Sequence, residues 1–117
     1  MEDREQSDNV YKQRRIRELN DRLRCQSRGG RIVVTSGVGA IPREVANRAL
    51  GLIQAFDEFT PSNDPYGEHD FGQVLIEGHT IMWKIDYYDA NLEWGSPDPA
   101  DDTVTCRVMT IMLASDL

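Results

Sequence analysis

His69 stands in the run TPSNDPYGEHDFG, residues 60–72, between Glu68 and Asp70 and five residues after Asp64. An imidazole whose tautomer is fixed by a carboxylate is the usual arrangement for a general base or a metal ligand. Strand alternation gives His69 the parity of Phe71, Gln73 and Leu75. In a hairpin this face also holds Met82, Lys84, Asp86 and Tyr88, so His69 and Asp86 are expected to meet across the strands. They form the candidate catalytic pair, base and orienting acid, of a small hydrolase or metal-dependent enzyme, with Asp64, Glu68 and Asp70 as further oxygen ligands. The commoner use of such a pair is structural, a hydrogen bond that pins a loop to a hairpin. Zinc signatures repeat His or Cys at short spacing, which does not occur here, so neither a metal site nor a cofactor is expected. Cys25 and Cys106 have no CxxC spacing and no evident His partner, and read as reduced, ordinary thiols.

The acids favour a different chemistry. The formal net charge is −7, but residues 1–56 hold 11 Lys and Arg against 7 Asp and Glu, whereas residues 57–117 hold 2 against 13. The acidic half repels phosphate and attracts basic protein surfaces. Asp64, Glu68, Asp70, Asp89, Asp98, Asp101 and Asp102 lie in or beside loops that flank one hairpin, with Tyr66, Tyr88 and Trp94 as aromatic anchors among them. Together they are the expected binding surface of a non-enzymatic acidic protein. Its expected role is that of an inhibitor or accessory protein that competes for a basic groove of a nucleic-acid-handling complex. Arg14, Arg15, Arg17, Arg22 and Arg24 supply the alternatives, a nucleic-acid-binding helix or a homodimer in which this helix docks on the acidic half of a second copy.

These residues must be positioned by a single α+β domain over residues 1–117, with residues 1–10 as a flexible tail. Ile16, Leu19 and Leu23 mark an amphipathic, Arg-rich helix from about Val10 to Cys25. Val45, Ala49, Leu52, Ile53 and Phe56 mark a second helix from Pro42 to about Asp57. Ser36-Gly37-Val38-Gly39 reads as a tight connection rather than an anion-binding loop. Strands are expected near 31–35, 71–77, 80–88 and 104–113, in a mainly antiparallel four-stranded sheet covered by the second helix. Residues 104–113 could also satisfy a helix, but their β-branched content favours a strand. The 71–77 and 80–88 strands join at Glu77-Gly78 or Gly78-His79, and Val74, Ile76, Ile81, Trp83, Ile85 and Tyr87 form the core face. No segment reaches the ~20 apolar residues of a membrane span, and no leader-like run opens the chain. A cytoplasmic location without membrane contact is expected.

The run FDEFTPSNDPYGEHDFG, followed by WKIDYYD, GSPDPAD and RVMTIMLAS, resembles the uncharacterised small bacterial proteins grouped as domain-of-unknown-function family 3768. The likeness extends over residues 16–115, with NDPYGEHDFG as its most specific block and Ile41-Pro42 as the matching helix entry. The resemblance implies no catalytic residue, cofactor or substrate. It implies an accessory role of the kind found on mobile genetic elements.

Overall fold

A computed structural model describes residues 2–117, with side chains from Ser7 onward. In chain order it contains α1 (Glu2–Gln26), β1 (Arg31–Val34), α2 (Ser36–Ala40), α3 (Arg43–Ala55), β2 (Phe71–Ile76), β3 (His79–Tyr88) and β4 (Cys106–Leu113). The class is α+β, built on one four-stranded sheet of order β1-β4-β3-β2. That sheet is mixed rather than mainly antiparallel: β2–β3 and β3–β4 are antiparallel, but β1 runs parallel to β4. A hairpin turn fixes the relative direction of two strands, and β1 has none, because two helices and two strands separate it from its neighbour. Residues 106–113 are strand, so their Val, Thr and Ile content outweighs the helical spacing.

Residues 2–10, expected as a tail, form the first part of α1, and Met1 lies outside the described residues. Ser36–Ala40, expected as a plain connection, closes a short helix whose first turn is capped by Thr35 Oγ1 accepting from the Val38 amide.

One face of the sheet carries the core. The register pairs Ile81, Trp83, Ile85 and Tyr87 of β3 with Leu113, Ile111, Met109 and Arg107 of β4, and sets Val74 and Gly72 of β2 on the same face. Leu23 of α1 joins Val38, Ala49 and Ile53 against this surface. Leu52, expected in the core stripe, is exposed instead. The turn between β2 and β3 is Glu77-Gly78, closed by Ile76 opposite His79. Both turn residues have positive φ, 46° and 79°, as a two-residue turn of the primed kind requires.

Gly72 faces Trp83 across the pair, and a Cβ built there would lie 2.0 Å from Trp83 Cη2. Trp83 is fully buried and cannot step aside. Gly72→Ala is therefore expected to lower stability by about 1–3 kcal/mol through overpacking. Denaturant unfolding measures this, and a variant as stable as the parent would show that the indole has room to move.

Candidate functional site

His69 lies outside the strand. Its φ of 55° turns the chain away from β2, which begins two residues later, so strand parity does not apply to it. The pair with Asp86 is consequently not formed: Asp86 accepts an ion pair from Lys84 Nζ at 3.1 Å. His69 instead reaches α1. Its Nδ1 donates to Asp21 Oδ1 at 2.8 Å, and Nε2 lies 3.6 Å from Asp64 Oδ2. The buried Asp64 also accepts the His69 backbone amide at 3.1 Å, which holds the left-handed conformation. The ring lies flat on Phe59, with centroids 3.6 Å apart and planes 5° apart. Both nitrogens face carboxylates, an arrangement that ties α1 to the 59–70 loop.

Beside this clasp runs a buried polar chain. Arg107 Nε donates to Asn20 Oδ1 at 2.8 Å, Asn20 Nδ2 donates to Glu68 O and Tyr87 Oη, and the Tyr87 hydroxyl donates to Glu68 Oε1 at 2.7 Å. Burial pushes the Glu68 carboxyl above the usual carboxylate range, with the charges of Asp70 and Asp64 adding to the rise and the Tyr87 bond opposing it. Burial also raises Asp70, raises the Tyr87 hydroxyl and lowers Arg107. A carboxyl raised on folding binds protons more tightly in the folded state, so it adds stability at mildly acid pH that fades as pH climbs through its raised value. Glu68→Gln keeps an acceptor for Tyr87 and is expected to flatten that decline. Melting midpoints of parent and variant at mildly acid and neutral pH check this, and an unaltered slope would count against it.

The arginines expected on nucleic acid turn largely inward. Arg17 donates to Gly67 O at 3.1 Å, Arg22 pairs with Asp102 at 3.1 Å, and Arg24 is buried against α3. Arg15 pairs with Glu18, and with Arg14 and Tyr11 it borders a shallow surface cleft. Lys12 lies 3.9 Å from Asp98, and Gln13 donates to Tyr66 O. The basic helix thus lies on the acidic loops of its own chain, where Lys12 and Arg22 each meet one acid. The remaining expected binding acids are put to local use: Asp101 accepts from Thr103, whose hydroxyl and amide hold its carboxyl below the usual range, and Asp89 accepts the amides of Asn91 and Glu93.

Those last two bonds build a rigid loop. Tyr88 bridges Gly95, Asp89 N donates to Trp94 O at 2.8 Å, and Ser96 N donates to Tyr87 O at 3.0 Å. The loop carries Trp94 75% exposed, and Tyr66 is 69% exposed on the 60–70 loop, while Tyr88 is half-buried in β3. The partners that sequence reasoning missed are Asn20, Asp21, Phe59 and Arg107. Only Arg107 carried a signal, as a lone cation in an apolar strand.

The family model described as "Protein of unknown function (DUF3768)" matches residues 34–116. The chain belongs to this family. The DUF3768 segment starts later than the resemblance that begins at residue 16, and it leaves out α1. Yet Glu68 and His69, inside the segment, are held by Asn20 and Asp21 outside it. Neither a curated protein nor a solved structure matches the chain. Among the described residues no helix is long and apolar enough to cross a membrane, and no three His, Cys, Asp or Glu side chains are grouped to hold a metal ion.

Proposed function

We propose that this DUF3768 protein is a non-enzymatic binding module whose partner is a protein with a basic surface. The observation that carries the proposal is Trp94. Tryptophan is the aromatic most enriched at interface hot spots, and a backbone hydrogen-bonded loop presents this one, 75% exposed, to solvent at low entropic cost. Glu93 beside it forms no side-chain ion pair among the described residues, which leaves an acid free at the loop tip. The engagement of both His69 nitrogens by carboxylates of the same chain supports a structural rather than a catalytic role for that residue. In its finer form the proposal is an inhibitor or accessory protein that occupies a basic groove of a nucleic-acid-handling complex.

Affinity capture from lysate with the parent chain and Trp94→Ala, over a series of salt concentrations, tests it. A specific partner should be lost from the variant, at least about 30-fold for a hot-spot aromatic, and should weaken as salt rises. A partner retained equally by both chains at all salt concentrations would refute the proposal.

A further inference from the structure

The two edges of the sheet are defended unequally. β1 is four residues long and opens with Arg31, a short and charged edge of the kind that resists pairing. β2 is the other edge, six residues, Phe-Gly-Gln-Val-Leu-Ile, with no proline and no charge. The direction of its unused hydrogen-bonding groups follows from the ladder. Ile85 N donates to Asp70 O at 2.7 Å just before β2, and in an antiparallel pair the bonded positions recur at every second residue. Gly72, Val74 and Ile76 therefore face β3. The N–H and C=O groups of Phe71, Gln73 and Leu75 point out from the free edge.

The surroundings of that edge are concave and acidic. A cleft of about 390 Å³, lined by Leu52, Phe56, Asp57, Glu58, Gln73 and Leu75, lies between β2 and the C-terminal end of α3. A second, of about 470 Å³, continues along Phe71, Gln73 and Asn63. Asp57 and Glu58 form no ion pair among the described residues. On the other face of the sheet Leu75 is 71% exposed and Phe71 39% exposed.

We infer that the β2 edge accepts an extended segment of another protein as a fifth strand, one that alternates Lys or Arg with apolar residues. Its backbone pairs with Phe71, Gln73 and Leu75. Alternate side chains of such a strand point to opposite faces. Those on the α3 side lay long aliphatic stems over Leu52 and Phe56 and carry their charges to Asp57 and Glu58. Those on the open side cover Phe71 and Leu75. A second copy fits less well, since pairing two β2 edges about Gln73 brings both sets of Asp57 and Glu58 to one seam, and like charges so placed are costly. The surface is separate from Trp94, and the inference does not rest on it.

The test is a nuclear magnetic resonance titration of the full chain with a nonapeptide alternating Lys and Val. Two controls accompany it: a Glu-Val counterpart, and the Lys-Val peptide N-methylated along its pairing edge. The Lys-Val peptide should shift the amides of Phe71, Gln73 and Leu75 and slow their exchange with solvent, and both controls should leave them unmoved. Asp57→Asn with Glu58→Gln, at exposed positions that do not threaten the fold, should weaken binding at least about tenfold, and Trp94→Ala should leave it unchanged. Four results overturn the inference: no shift at those amides at millimolar peptide, equal binding of either control, indifference to the charge-removing variant, or a concentration-dependent dimer in sedimentation that already protects the three amides.

Discussion

A chain lacking residues 1–26 is expected not to fold cooperatively, although the whole DUF3768 segment remains in it. Ile16, Leu19 and Leu23 are buried at 9%, 1% and 0% exposure, and Leu23 belongs to the main core with Trp83 and Met109. At about 1.5–3 kcal/mol for each buried aliphatic side chain, removal of the three forfeits roughly 5–9 kcal/mol, which is comparable to the whole net stability of a small domain. The polar losses act in the same direction. Arg107, wholly buried, loses Asn20 as acceptor, and the backbone carbonyl of Glu68 loses its donor. His69 loses Asp21, so the 59–70 loop is freed on one side. Far-ultraviolet circular dichroism with thermal melting decides the matter. A truncated chain that melts sharply within a few degrees of the parent would show that α1 is an appendage.

The partition of the chain into elements was legible because the apolar spacing is regular. Ile81, Trp83 and Ile85 recur at every second position, with Thr80, Lys84 and Asp86 on the opposite parity, and Glu77-Gly78 can adopt the positive φ that a two-residue turn demands. The direction of β1 was not legible, because parallel pairing with β4 is decided by a long crossover, and no residue of Arg31–Val34 records which way its partner runs. The partner of His69 was not legible for a related reason. The parity that joined His69 to Asp86 assumes extended backbone from residue 69 onward, and a single left-handed residue cancels it. Its actual partner, Asp21, lies 48 positions away on another element, a contact made by tertiary packing and invisible to any local pattern. Charge segregation is legible in the sequence, but the intramolecular contacts it permits are not: Arg22 and Lys12 meet Asp102 and Asp98, 80 and 86 positions away, only through the fold.

Arg24→Ala is expected to be among the most damaging single substitutions outside the apolar core, costing about 2–4 kcal/mol, because it removes a packed, buried side chain and takes a donor from carbonyls at the end of α3. The side chain is 3% exposed. Its Nη1 donates to Ile53 O at 2.8 Å, which also accepts the Phe56 amide at 3.3 Å, and to Phe56 O at 3.0 Å just past the end of α3, while Nη2 pairs with Asp21 at 3.1 Å. The guanidinium carbon also lies 5.2 Å from the ring centre of Phe59 and 5.3 Å from that of Trp83. Alanine removes all of these at once and leaves Asp21 to His69 alone. With roughly 4–8 °C of melting temperature for each kcal/mol in a domain slightly smaller than this one, the midpoint should fall by roughly 10–30 °C. Arg24→Lys separates charge from geometry. A lysine keeps the positive charge but is a point donor without the planar fork, so it cannot serve the α3 carbonyls and Asp21 together from one plane, and it should recover less than half of the loss. If lysine restores the parent midpoint, then charge alone secures the end of α3, and the fork geometry contributes nothing that a single ammonium cannot supply.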